Sequence, residues 1–184
     1  MKLFAFLALV SCVMLSGCGV FSGVSDADLA TTVYDTSKLT AATALKVALQ
    51  KTPADDAQIR TDAKLVVKLM RENVVPLFSS TTGDVLRSTV DTVLDAVASQ
   101  LSPTLVDIMK LTVSVAAASI KLPDNPATKL DARTKGALVA LFNGLADGAD
   151  AGMAAVPVPT ASVQRSAVEW AVGQPKQFFI WPKD

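Results

Sequence analysis

From Ser25 onward, apolar residues recur at spacings of three and four, the period of one helix face, and prolines and polar clusters cut the pattern into segments. Ser25 stands before Asp26 and Asp28, an N-cap followed by acidic residues that suit the positive end of a helix dipole. Leu29, Val33, Ala41, Leu45, Ala48 and Leu49 supply the apolar face of a first predicted helix, which Thr52-Pro53 ends after Lys51. A second helix is predicted from Asp55-Asp56, with Ile59, Ala63, Val66, Val67, Met70, Val74 and Leu77 inward and Pro76 kinking or ending it near Phe78. The polar stretch Ser79 to Gly83 offers N-caps for a third, whose face is Leu86, Val90, Val93, Leu94, Val97 and Leu101.

Ser102-Pro103 predicts a cap with proline at the first helical position. The segment that follows, Thr104 to Leu122, is very apolar and alternates like a strand at Leu111–Val115; Ala116-Ala117-Ala118 continues it without a turn and favours a buried helix. After the turn at Pro123-Asp124-Asn125-Pro126, Thr128 caps a predicted fifth helix to about Ala151, with Leu130, Ala137, Leu138, Leu141, Leu145 and Ala149 inward. Val156-Pro157-Val158-Pro159 reads as extended, and Thr160 opens a short sixth helix carrying Val163, Ala167, Trp170 and Ala171. The expected fold is all-α: an antiparallel bundle of five to six helices over residues 25–174, with a short extended aromatic tail at 175–184. No fixed-period repeat suggests a solenoid.

The first residues follow another logic. Met1-Lys2 precedes an apolar run from Leu3 to Leu15, shorter than a bilayer span, then small residues. This reads as a secretory signal peptide over 1–17. Leu15-Ser16-Gly17-Cys18 resembles the lipobox of bacterial lipoprotein precursors. The resemblance implies cleavage before Cys18, lipidation of that residue, and a tether over 18–24. At ~0.8 kcal/mol per buried CH₂, several acyl chains on one residue anchor a protein stably. Gly19, where such proteins carry aspartate to stay in the inner membrane, implies the outer membrane, facing the periplasm.

Composition removes whole classes of function. Lys2 is the lone charged side chain before Cys18, so the remainder carries 16 basic and 17 acidic groups. That balance argues against a nucleic-acid partner. Histidine is absent, and the one other cysteine, Cys12, lies within the signal segment. Imidazole catalysis, thiol chemistry and His or Cys metal sites therefore have no material. No cofactor or metal is expected, and the expected function is non-enzymatic.

Four constellations remain. Gly136, Ala140, Gly144, Gly148 and Gly152 form a stripe at intervals of four. Glycine costs about 1 kcal/mol relative to alanine inside a helix, so the stripe implies close approach of another backbone. That backbone belongs to the same bundle, to a second copy, or is replaced by an acyl chain. Arg60, Lys64, Lys68 and Arg71 line the second helix, facing solvent, anionic headgroups, or Asp84, Asp91 and Asp95 of the third. The pairs Asp55-Asp56 and Asp147/Asp150 raise acid–base chemistry, although helix ends and polar faces account for them equally. Phe178, Phe179 and Trp181 concentrate aromatic surface in the tail, which plugs the bundle, dips into the membrane interface, or docks on a partner.

The leading expectation is an envelope lipoprotein anchored at Cys18, its bundle a structural or adaptor module that engages an envelope protein or a second copy. The alternatives are a binder of an apolar small molecule or lipid, and a phage- or plasmid-encoded lipoprotein acting in lysis or exclusion.

Overall fold

The computed structural model describes residues 25–80, 84–120 and 122–158. The signal segment, Cys18 with its tether to residue 24, the sixth helix with Trp170, and the tail with Phe178, Phe179 and Trp181 lie outside the described residues. Those that are described form an all-α bundle: α1 (Asp26–Lys51), α2 (Asp56–Leu69), α3 (Val75–Ser79), α4 (Arg87–Ala98), α5 (Pro103–Ile120) and α6 (Ala132–Ala154).

α1 has the predicted limits. Ser25 Oγ accepts from the Asp28 backbone N–H at 3.2 Å and donates to the Asp28 carboxylate at 2.7 Å, while Thr52 closes the other end. Its buried face adds Ser37, which periodicity of apolar residues passes over. The Ser37 hydroxyl donates to the Val33 carbonyl at 2.6 Å, so it is satisfied inside its own helix and adds almost no bulk.

Between α2 and α3 the chain makes one π turn, Met70–Val74, in which the Val75 N–H reaches back to the Met70 carbonyl. A straight α-helix would drive the Pro76 ring onto the carbonyl four residues earlier; the wider turn lets the helix continue past Pro76 to Ser79. It also rotates the downstream face. Leu77, predicted inward, is 40% exposed, and Phe78 takes its place against Phe142, with ring centroids 5.4 Å apart.

Two predicted caps are replaced. α4 takes none from the Ser79–Gly83 stretch: the Arg87 and Ser88 N–H groups donate to the carbonyls of Thr128 and Pro126, at 2.9 and 3.0 Å, beside an antiparallel bridge of Leu86 to Lys129. Thr128, expected to cap α6, is used there instead. α6 is capped by Asp131, whose carboxylate accepts the Thr134 N–H at 2.7 Å. That bond holds the Asp131 carboxyl below its ordinary range. α5 starts at Pro103 as predicted, but the Ser102 side chain does not cap it; Asp62 of α2 accepts the Ser102 N–H at 3.1 Å. α5 is helical through the alternating stretch, yet it buries only a stripe of Leu105, Met109, Thr112, Ala116 and Ile120.

α6 is the core element, with Leu138, Leu141, Phe142, Leu145 and Ala146 all at most 2% exposed. α2 runs antiparallel to it, since Arg60 reaches Val156 while Arg71 reaches Asp147. α1 runs parallel to it. Each step of four along α6 is a step of four along α1: Gly144 meets Ser37, Gly148 meets Ala41 and Gly152 meets Leu45, and Arg133 pairs with Asp26 at 3.2 Å.

Candidate functional site

The densest polar cluster sits where α1, α6 and the π turn meet. Tyr34 and Lys38 lie one turn apart on α1, Asp147 and Asp150 one turn apart on α6, and Arg71 in the π turn. The Tyr34 hydroxyl donates to Asp147 at 2.6 Å, and one Arg71 nitrogen bridges Asp147 and Asp150 at 2.7 and 2.9 Å. Lys38 Nζ donates to the Tyr34 oxygen at 3.4 Å and lies 5.3 Å from the ring centroid. The Tyr34 hydrogen bond holds the Asp147 carboxyl below the usual range; partial burial opposes this, and Arg71 and Lys38 reinforce it. Asp147 raises the Arg71 guanidinium in turn. Both carboxylates are thus occupied as anions, a clamp between three elements rather than a poised acid–base pair.

The other predicted pair separates. Asp55 stays exposed, whereas Asp56 is buried and accepts Arg60 Nε at 2.8 Å. The rest of the Arg60 guanidinium donates to the carbonyls of Met153, Val156 and Pro157, at 3.0, 2.7 and 3.4 Å. It thereby satisfies groups that a helix C-terminus leaves open. The basic strip is consequently not a strip of free charge. Arg60 and Arg71 are committed to α6, Lys68 lies 3.9 Å from Glu72, and Lys64 is exposed. Nor does it pair with the acidic face of the third helix: Asp91 bonds Arg87 of its own helix, and Asp84 bonds Lys129.

The glycine stripe divides. A Cβ on Gly144 would strike the Ser37 hydroxyl and the Tyr34 carbonyl; on Gly148, the Lys38 carbonyl; on Gly152, the Ala42 carbonyl at 2.9 Å. At these three, α1 main chain fills the space that a slot for an acyl chain would need. Gly136 is exposed and has no neighbour within 4 Å of an added Cβ, and Ala140 is partly buried. A cavity lined by Ala41, Leu45, Val66, Leu105, Met109 and Leu145 measures about 10 Å³, room for at most a single water.

Among the described residues, no three His, Cys, Asp or Glu side chains gather as metal ligands, and no helix is long and apolar enough to cross a membrane. Comparison of the chain with protein-family models, curated proteins and solved structures gives no match. Sequence reasoning did not bring Tyr34 and Lys38 to Asp147, which lies 113 residues from Tyr34. The available signal was the single tyrosine of the chain, four residues before a lysine on a helix face.

Proposed function

We propose that this chain is a lipid-anchored envelope protein whose helical domain serves as a structural or adaptor module at the periplasmic face of the outer membrane. The observation that carries the reading is Leu15-Ser16-Gly17-Cys18 after a short apolar run headed by Lys2. The bundle is compatible with it on two counts. α1 begins eight residues after Cys18, which keeps the folded part near its anchor. The polar side chains that might have suggested chemistry are committed to holding helices together, with Arg71 on Asp147 and Asp150, and Arg60 on Asp56 and the end of α6.

The decisive experiment is Cys18→Ser in a bacterial host fed labelled fatty acid. The expected result is a larger, uncleaved precursor without label, beside a processed and labelled parent. A variant that is processed and fractionates with membranes like its parent would refute the anchor.

A further inference from the structure

The parallel pairing of α1 and α6 fixes where the chain enters and leaves the bundle. Asp26, at the start of α1, pairs with Arg133 at the start of α6; Leu45 and Gly152 meet towards the other ends of both helices. The 26 residues of α1 therefore separate entry from exit by about 40 Å at 1.5 Å per residue. The exit is fixed as well, because Arg60 holds the carbonyls of Val156 and Pro157. The tether from Cys18 to Ser25 spans at most about 25 Å fully extended.

The two ends differ in chemistry. Exposed Asp26, Asp28, Asp84, Lys129 and Asp131 surround the entry, two of them in ion pairs with Arg133 and with each other across the bridge. Around the exit, Pro53, Ala54, Ala57, Ala155, Pro157 and Val158 are exposed, with Val158 at 66%. The flank between them is poorly suited to lie on headgroups: of its four basic residues, two are bound to α6 and Lys68 faces Glu72.

We infer that the bundle stands on its charged end over the anchor and acts as a spacer that presents the chain beyond Val158 away from the lipid surface. This rests on the lipid-anchor reading of Cys18. It removes the membrane interface as the destination of Phe178, Phe179 and Trp181 and makes the exit end the surface offered to the aqueous side.

The chain supplies its own reporters, because both of its tryptophans, Trp170 and Trp181, lie beyond Val158. The lipidated full-length protein is placed in phosphatidylethanolamine–phosphatidylglycerol vesicles with or without brominated acyl chains, which quench nearby indoles. The native emission is expected to be the same in both. A companion protein carrying Phe21→Trp, Trp170→Phe and Trp181→Phe, its fold checked by circular dichroism, places the indole in the tether and is expected to lose most of its emission in brominated vesicles. Quenching of the native tryptophans beside a quenched tether probe overturns the orientation alone. A tether probe that brominated lipid leaves untouched overturns the anchor, and the spacer with it.

Discussion

The two sides of α6 are held by opposite means. Towards α1, side chains have been removed: Gly144, Gly148 and Gly152 let the main chain of α1 come within contact of α6. Towards α2, the connection is made by long side chains, with Arg60 and Arg71 reaching across to carbonyls and carboxylates. A bare seam has no slack, so an added carbon has nowhere to go, yet it owes nothing to charge. A seam of arginines tolerates changes of volume and depends on ionisation and on every donor finding its acceptor. One helix therefore carries two kinds of vulnerability, separable by experiment.

The largest effect should come from Gly148→Leu. Its Cβ alone would press on the Lys38 carbonyl and lie 2.8 Å from the Ala41 Cβ, and main chain cannot step aside. A loss of about 3 kcal/mol or more is expected in chemical denaturation; a melt matching the parent would break the account of the bare seam. Next is Arg60→Met, which keeps the stem and removes the head. It strands the buried Asp56 carboxylate and the end of α6, for an expected loss of about 2 kcal/mol. Circular dichroism should show the rest of the bundle intact, and an unchanged denaturation midpoint would mean the clamp holds nothing. Gly136→Ala sharpens the contrast by reversing its sign. Nothing stands within 4 Å of the new methyl, so the same helix should gain up to about 1 kcal/mol from the better helix former. A loss there would show that the whole stripe is packed.

The smallest effect concerns acid. Asp147 titrates below its unfolded value, so its contribution is complete above an unfolded pKa of about 4 and disappears as pH falls through the lower folded one. Tyr34→Phe removes the main cause of the shift. The variant should be less stable than its parent at neutral pH and should lose less between about pH 5 and pH 2, by under about 1 kcal/mol because Asp147 is 36% exposed. Parallel acid profiles for the two proteins would assign the depression to something other than the tyrosine.

Much of the fold was legible because its signals are local. Ser25 with Asp28, Thr52-Pro53 and Ser102-Pro103 mark their boundaries within a few residues, and the apolar faces of α1, α2 and α6 follow from period alone. What escaped depends on partners distant in sequence. The π turn shows in no local pattern, so the period carried Leu77 inward where Phe78 belongs. The caps of α4 come from residues about forty positions later, and Asp131 displaces Thr128 as the cap of α6 because the earlier residue is taken up in that same contact. Short connections predict antiparallel neighbours, but α1 and α6 are not neighbours in sequence, and their parallel course had no local cue. Of the candidate site, the glycine spacing announced close approach without saying which glycines take part. The Tyr34–Asp147–Arg71 cluster joins three distant segments and was not readable before they were brought together.

The parallel course of α1 and α6 also has a mechanical meaning. Tension applied between the beginning of α1 and the end of α6 draws the two helices past each other along their length instead of peeling them apart from one end. Under that loading, the contacts at Gly144, Gly148 and Gly152 bear the force together, and none can give way before its neighbours share the strain. The Arg60 hydrogen bonds to Val156 and Pro157 take up the first pull at the exit, ahead of the seam.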